Sequence, residues 1–200
     1  MLEFKGDDTD AIAKFLKSGG VLAYPSESVW GVGCDAFNLQ ALAQVLTLKS
    51  RTPDKGLIVL TDHIDKLRPL LNSLTKDDKQ TIITALTQSK IKDNQATTWL
   101  IPITKELNLP PLLTGQFDKL AVRITPHPVL QNICQAISDK DNPYGFLVST
   151  SCNPSGQDPA NDLAVAQGYF GERVGYVVAD SLGFDKPSQI IDPLTGELLR

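Results

Sequence analysis

The sequence predicts an α/β fold in which helices pack around a twisted sheet of parallel and antiparallel strands. Short apolar runs that fit buried strands alternate with segments whose apolar residues recur at helical spacing. Near the end of the chain, two further strand patterns flank the turn at 193–196 and predict a β-hairpin, which adds antiparallel pairing. The 200 residues, 42% of them hydrophobic, suffice for one sizeable core.

The helices are predicted from caps, amphipathic stripes and stop signals. Asn38 is a typical N-cap, and Leu42, Val45 and Leu46 follow it on one helical face. Gly19 and the glycine after it end the first helix. The predicted helices run from a cap at 7–9 to Gly19, from 38 to about 49, over 64–71, over 76–89, over 129–137, and from 161 or 162 to 169.

Strands are predicted where short apolar or β-branched runs are bounded by glycine, proline or polar clusters. These runs are residues 21–24, 29–34, 57–60, 98–103, 120–125, 146–150, 174–179, 189–192 and 197–199. The polar residues 90–97 predict a loop.

Composition excludes several classes of protein. The net charge of −4 argues against nucleic-acid binding through the overall field, although a local basic cleft stays open. Cys34, Cys134 and Cys152 are odd in number and widely spaced, which indicates neither a disulfide framework nor a zinc site. No apolar run approaches the roughly 18 residues that span a membrane, and the first residues lack a signal-peptide pattern. A cytoplasmic location away from membranes is expected.

Three polar loops adjoin predicted strands and carry the candidate binding groups. They are YPSESVWG at 24–31, KSRTPDKG at 49–56 and STSCNPSG at 149–156. Hydroxyls beside one carboxylate suit a small polar ligand, clustered cations converge on an anion, and loop donors bind phosphate or carboxylate oxygens. We expect ligands at the carboxyl ends of the strands. Taken alone, these loops fit ordinary turns or a solvated basic loop better than a binding site.

Arg123 lies inside the apolar strand LAVRIT and must meet an acid or an anion, because burying it unpaired is too costly. A structural ion pair or an exposed sheet face is as consistent with this pattern as a ligand role. Glu27 is expected to be structural, with a water-mediated ligand contact as the alternative. His63 is expected to help start a helix and His127 to lie in a rigid turn, so neither is a catalytic candidate.

Taken in order, YPSESVWG, KSR with Lys55 four residues on, LAVRIT, STSCNPSG and PSQIID resemble the YrdC-like family, the threonylcarbamoyl-AMP synthases of bacterial tRNA modification. The resemblance covers residues 4–200 and implies one YrdC-like domain with a concave basic ligand face. It also implies that L-threonine, bicarbonate and ATP react to give threonylcarbamoyl-adenylate and pyrophosphate. That adenylate is the precursor of N6-threonylcarbamoyladenosine at position 37 of tRNAs reading ANN codons.

The resemblance implies roles for particular residues. Lys49 and Arg51 match a Lys-x-Arg pair that holds the ATP phosphates, and we expect them to act in catalysis. The residues implied for the whole ATP site are Lys49, Arg51, Ser149, Ser151 and Asn153. The residues implied for threonine are Ser26, Lys55, Arg123 and Ser188. Mg²⁺ is expected to be held mainly through ATP, with no protein ligand named.

The resemblance further implies partners, namely small-molecule substrates, the pathway's transferase proteins that receive the adenylate, and a possible contact with tRNA. A different hypothesis is a module that holds tRNA or double-stranded RNA without chemistry. The net charge and the lack of interleaved aromatic residues weigh against it. A third is a carbamoyl-handling domain of the hydrogenase-maturation type, which normally belongs to a longer chain with zinc-finger cysteines. The sequence departs from the family pattern in one segment. Many family members carry Trp-Pro-Gly-Pro-x-Thr where this chain reads KDNQATTW at 92–99.

Overall fold

The structure is a computed structural model that describes residues 1–89, 91, 94–104 and 106–200. Lys90, Lys92 and Asp93 are outside the described residues. The predicted loop at 90–97 and the segment at 92–99 are therefore described only in part. Within the described residues, nine strands form one sheet in the order β1-β8-β2-β3-β7-β4-β6-β5-β9. They are β1 (Leu2–Lys5), β2 (Leu22–Tyr24), β3 (Gly31–Gly33), β4 (Ile58–Thr61), β5 (Thr97–Pro102), β6 (Lys119–Ile124), β7 (Leu147–Ser151), β8 (Gly175–Val178) and β9 (Gln189–Ile191).

The described residues form α-helices that cover both faces of this sheet. They are α1 (Thr9–Lys17), α2 (Leu39–Leu48), α3 (Arg68–Leu71), α4 (Lys76–Gln88), α5 (Pro111–Thr114), α6 (Pro128–Ala136) and α7 (Leu163–Phe170). None of the described helices is long and apolar enough to cross a membrane.

The sheet mixes both kinds of pairing, which confirms the predicted fold class. Strands β1 and β2 each pair with β8 in parallel, and β4 pairs with β6 in parallel. Strand β3 pairs antiparallel with both β2 and β7, and β7 pairs antiparallel with β4. As a result, β2 and β7 run in the same direction and β4 runs opposite to both.

Apolar side chains form a separate core on each face of the sheet. Because strand side chains alternate, Val21 and Ala23 face the core that includes α2 and α4, whereas Leu22 and Tyr24 face α1 and α6. The second core is the smaller one and uses Leu60, Leu147 and Val177 from the strands. Helices α1 and α6 therefore cover only part of their face.

Several predicted helix starts are confirmed in detail. The Asn38 side chain accepts a hydrogen bond from the backbone N–H of Ala41, as a capping residue does. Thr75 and Asp162 cap α4 and α7 in the same way. His63 precedes a 3₁₀ turn and its ring Nδ1 accepts from the N–H of Asp65, so it does help to start a helical segment.

Other predictions need correction. The helix expected over 64–71 is a 3₁₀ turn, Ile64–Leu67, followed by the single turn α3. Pro69 explains the break, because it has no N–H to donate and fits only the first turn of a helix. The strand expected over 29–34 is shortened to β3, and strand β1 and helix α5 were not predicted at all. The terminal hairpin is present, but its returning arm is not a regular strand. It joins β9 through a bridge between Ile191 and Leu198 and through backbone hydrogen bonds of Ile190 with Leu199 and Arg200.

Candidate active site

A cleft of about 720 Å³ opens on the face of the sheet that α1 and α6 only partly cover. Its floor includes four residues in register across four strands. Leu100 pairs with Ala121, Ala121 with Ile58, and Ile58 with Ser149. Arg123 lies two residues beyond Ala121 on β6 and so shares this face. The floor is thus the sheet surface itself.

The direction of the strands brings the three polar loops to the rim of this floor. The carboxyl ends of β2 and β7 and the beginning of β4 lie at one edge, because β4 runs opposite to the other two. Seven of the nine residues predicted for the site line the cleft. They are Ser26, Arg51, Lys55, Arg123, Ser149, Ser151 and Ser188.

Lys49 and Asn153 are not among the residues that line the cleft, and they bond to each other. The Lys49 Nζ atom donates to the side-chain oxygen of Asn153 at 2.8 Å and to its backbone oxygen at 2.5 Å. It also donates to the backbone oxygen of Ser151 at 2.5 Å. Burial lowers the pKa of Lys49 to about 8. Lys49 therefore ties helix α2 to the turn after β7.

Arg51 shapes the loop on which Lys55 is carried. Its Nη2 atom donates to the backbone oxygens of Lys55 at 3.1 Å and Gly56 at 2.7 Å. The Nε atom of Arg51 is buried and has no hydrogen-bond partner among the described residues. Burial lowers the pKa of this guanidinium from its ordinary value. Lys55 itself is exposed at the cleft.

Arg123 meets the acid that its place in an apolar strand required. Its Nη1 atom lies 2.7 Å from Oε2 of Glu27, and the Glu27 side chain is only 2% exposed. The other carboxylate oxygen, Oε1, accepts from the Thr125 hydroxyl at 2.6 Å. The expected structural role of Glu27 is confirmed, and the Arg123 side chain remains on the cleft surface.

Ser26 and Ser188, both predicted to contact threonine, each make one hydrogen bond within the protein. The Ser26 hydroxyl donates to the backbone oxygen of Val29 at 2.6 Å, which leaves its own oxygen free to accept. The Ser188 hydroxyl lies 2.9 Å from the hydroxyl of Thr98, and both residues are buried. Thr98 thus fixes the position of Ser188 from the neighbouring strand.

His127 was expected in a rigid turn, and it lies in extended backbone at the start of helix α6. This residue is the N-cap of α6, and its Nε2 atom lies 2.9 Å from the backbone oxygen of Asp180. The contact holds the segment that leads from β8 to Ser188. The same segment bonds to the loop after β2, since the N–H of Leu182 donates to the oxygen of Ser26.

Sequence reasoning missed two cations of the cleft, Lys119 and Arg200. Lys119 forms an ion pair with Asp192 at 2.6 Å. The Arg200 guanidinium donates to the backbone oxygen of Ser188, and burial followed by the nearby charge of Arg123 lowers its pKa. No local motif marks either residue. The terminal hairpin pattern was the one available signal, because its returning arm brings Arg200 beside Ser188.

The cleft is rich in cations and poor in carboxylates. Among the described residues, Asp118 is the one carboxylate that lines it. No group of three or more histidine, cysteine, aspartate or glutamate side chains in the described ranges could hold a metal ion.

The comparison with protein families decides the relationship of this chain. The Sua5_yciO_yrdC family model, described as "Telomere recombination", matches residues 14–200. The chain belongs to the Sua5/YciO/YrdC family. The match includes all nine residues predicted for the site.

Relatives within the Sua5/YciO/YrdC family agree over nearly the whole chain. A threonylcarbamoyl-AMP synthase from Moraxella catarrhalis (strain BBH18) is 49% identical over 201 residues, which cover 98% of this chain and 97% of the relative. The fold matches that of P. abyssi Sua5 solved in complex with L-threonine, with a TM-score of 0.80 at 20% identity. The match covers 100% of this chain and 56% of the Sua5 chain. E. coli YciO gives a TM-score of 0.73 at 16% identity, covering 96% of this chain and 88% of YciO.

Proposed function

We propose that this chain is a threonylcarbamoyl-AMP synthase, a nucleotidyltransferase that converts L-threonine, bicarbonate and ATP into threonylcarbamoyl-adenylate and pyrophosphate. The observation that carries the proposal is a single cleft in which cations and hydroxyls from three separate loops meet. A relative that is 49% identical over almost its entire length bears this enzyme name. The adenylate would serve formation of N6-threonylcarbamoyladenosine in tRNA.

The reaction requires two anions to be held close together. The threonine amine first combines with bicarbonate, losing water, to give a carbamate. A carbamate oxygen then attacks the α-phosphorus of ATP, and the bond to the pyrophosphate oxygen breaks. This chemistry needs positioned cations and donors for the charge that develops on phosphorus, and it needs no nucleophilic side chain.

The phosphates of ATP are assigned to the loop before β4. Arg51 and Lys55 line the cleft there, and Ser149 and Ser151 lie across from them at the end of β7. Lys49 would act indirectly and without contacting ATP, because its ammonium donates to the backbone oxygens of Ser151 and Asn153 and so fixes the turn after β7. In this proposal Lys49 and Asn153 shape the nucleotide site and Arg51 contacts the phosphates. Lys55, for which the resemblance implied threonine, is reassigned to the phosphates, because Arg51 holds its backbone in the same loop.

Threonine is assigned to the other end of the cleft. Arg123 would bind its carboxylate, and Ser188, fixed by Thr98, would donate to the same group. Ser26 would accept from the amine, because its hydroxyl hydrogen is already committed to Val29. The amine would then lie between the carboxylate-binding group and the phosphates, where the carbamate must form.

Mg²⁺ would enter with ATP, bound through phosphate oxygens, and would offset the charge that the pyrophosphate gains on leaving. We further infer that residues 4–200 form one domain with a basic ligand face and that the protein works in the cytoplasm. Its partners would be the transferase proteins that receive the adenylate, together with a possible tRNA contact. Five cations line the cleft, and carboxylates pair with two of them, Lys119 and Arg123. The remaining excess of positive charge supports an anionic ligand.

The proposal is tested by pyrophosphate release from ATP and magnesium. The purified protein is assayed with both co-substrates, with threonine alone and with bicarbonate alone. Release that requires both, from protein shown to be folded by circular dichroism, is the expected result. Release that ignores threonine would contradict the proposal. No release, together with retention of double-stranded RNA, would favour the RNA-binding module instead.

A further inference from the structure

We propose that Glu27 is the residue that reserves Arg123 for a carboxylate ligand and keeps the ATP phosphates away from it. The inference rests on the proposed function and adds a selectivity role to a residue that is buried beside the cleft. Glu27 would act through Arg123, so it is a positioning residue. Two features of the structure carry the inference: the way Glu27 aims the guanidinium, and the charge that it cancels.

The guanidinium of Arg123 is engaged on one side only. Its Nη1 atom donates to Oε2 of Glu27 at 2.7 Å. The Nε atom is buried, and the described residues offer it no partner. Nε and Nη2 together form the side-on edge of a guanidinium, whose two parallel N–H bonds match the two oxygens of a carboxylate. An unpaired buried donor is costly, and Arg123 lines the cleft, so a carboxylate that reached this edge would supply the partner that Nε lacks.

Glu27 is itself held too firmly to swing away. Oε1 accepts from the Thr125 hydroxyl at 2.6 Å, while Oε2 accepts from Arg123. Thr125 is fully buried and its hydroxyl also accepts from the backbone N–H of His127. The backbone oxygen of Glu27 accepts from the N–H of Phe184 at 2.7 Å. With both carboxylate oxygens in use, the orientation of the Arg123 edge is fixed before any ligand binds.

The charge balance differs between the two ends of the cleft. Glu27 and Arg123 form a buried pair of zero net charge, so the pair attracts a ligand mainly through directed hydrogen bonds. Neither Arg51 nor Lys55 forms an ion pair with a carboxylate in the described parts of the chain, and Arg51 donates to backbone oxygens instead. The charge of Asp54 acts on both cations, but this one exposed carboxylate leaves an excess of positive charge on the loop. A polyanionic triphosphate gains most from that excess. The two parallel N–H bonds of Arg123 can bind a carboxylate or a phosphate, so the charge that Glu27 cancels is what favours the singly charged carboxylate at this position.

The two anion positions are also separated along the sheet. Arg123 pairs in register with Leu60, whereas the loop that carries Arg51 and Lys55 enters β4 at Ile58. Two residues of a strand correspond to about 7 Å. Without the neutralising carboxylate, a phosphate group would be drawn to Arg123 across this short distance and would exclude threonine.

The test is calorimetric binding of L-threonine, measured with and without inorganic pyrophosphate, to the wild-type protein and to Glu27→Gln. Glutamine keeps the size of the side chain and an oxygen for Arg123 but removes the charge. In the wild type, pyrophosphate should leave the threonine Kd within about twofold, and in Glu27→Gln it should raise that Kd about tenfold. A threonine Kd that pyrophosphate leaves unchanged in folded Glu27→Gln would overturn the inference.

Two further variants separate selectivity from stability. Glu27→Asp keeps the charge but is one methylene too short to hold Arg123, so it should raise the threonine Kd about tenfold without any pyrophosphate effect. Thr125→Val should lower the melting temperature and leave threonine binding insensitive to pyrophosphate. Wild-type behaviour of Glu27→Asp, or pyrophosphate sensitivity of Thr125→Val, would contradict the inference. Failure of the wild-type protein to bind threonine at all would contradict the proposed function instead.

Discussion

The Nζ atom of Lys49 lies 2.8 Å from the side-chain oxygen of Asn153 and 2.5 Å from its backbone oxygen. The hydrogen bonds of this ammonium fix the turn after β7, so a variant without the ammonium should lose both stability and activity. Lys49→Met should lower the free energy of unfolding by about 1–3 kcal/mol, because buried oxygens lose their donor. The variant should still fold, and its pyrophosphate release should fall about 100-fold.

Urea unfolding and pyrophosphate release measure these two effects. Lys14 is an exposed lysine on α1 and serves as the control, since Lys14→Met should match the wild type in both assays. Full activity in a destabilised Lys49→Met protein would show that catalysis does not need the hydrogen bonds between Lys49 and the turn at 151–153.

Because the pKa of Lys49 is lowered in the folded protein, its contribution to the free energy of unfolding should depend on pH. Burial lowers that pKa to about 8 in the folded protein, against an ordinary value of about 10.4 for lysine. Between these two values the unfolded chain binds more protons than the folded one, so the contribution of Lys49 to the free energy of unfolding rises with pH. From pH 7 to pH 10 the wild type should gain about 2 kcal/mol relative to Lys49→Met. Urea unfolding at both pH values measures this difference, and a constant difference would refute the assignment.

Arg51 should be sensitive even to a substitution that preserves its charge. Its Nη2 atom bonds two backbone oxygens of the loop, and a lysine ammonium cannot reproduce that planar arrangement. Arg51→Ala should reduce pyrophosphate release about 100-fold, and Arg51→Lys should raise the KM for ATP about tenfold. Arg68 is exposed and pairs with Asp65 within one helical turn, so Arg68→Ala is the matched control. Unchanged activity in both Arg51 variants would remove this residue from the phosphate site.

Ser26 should affect threonine more than ATP. Its hydroxyl donates to the oxygen of Val29 at 2.6 Å, and we assign its free oxygen to the substrate amine. Ser26→Ala should raise the KM for threonine about tenfold and change the KM for ATP less than twofold. Ser18 makes a similar bond to the oxygen of Phe15 on the exposed surface, so Ser18→Ala controls for loss of a turn hydrogen bond. An unchanged KM for threonine in Ser26→Ala would count against this contact.

Much of the fold was predictable because its signals are local. Asn38, Thr75 and Asp162 cap helices as expected, since a cap depends on residues within one turn. Strand β1 was not predicted, because its four residues form a strand only by pairing with β8, about 170 residues later in the chain.

The residues of the site were recognised from ordered motifs, but their contacts depend on the topology. Burial physics required a partner for Arg123, and only the structure shows that the partner is Glu27. The capture of Lys49 by the turn after β7 and the approach of Arg200 to Ser188 are likewise long-range contacts. No periodicity or spacing in one sequence encodes such contacts.

The most direct test of the account is the identity of the product. The protein is incubated with ATP, magnesium, L-threonine and carbon-13 bicarbonate, and the products are separated and analysed by mass spectrometry. The account predicts threonylcarbamoyl-adenylate that carries the carbon label, formed in equal amount with pyrophosphate. Pyrophosphate formed with unlabelled AMP alone, or an adenylate that lacks the bicarbonate carbon, would contradict it.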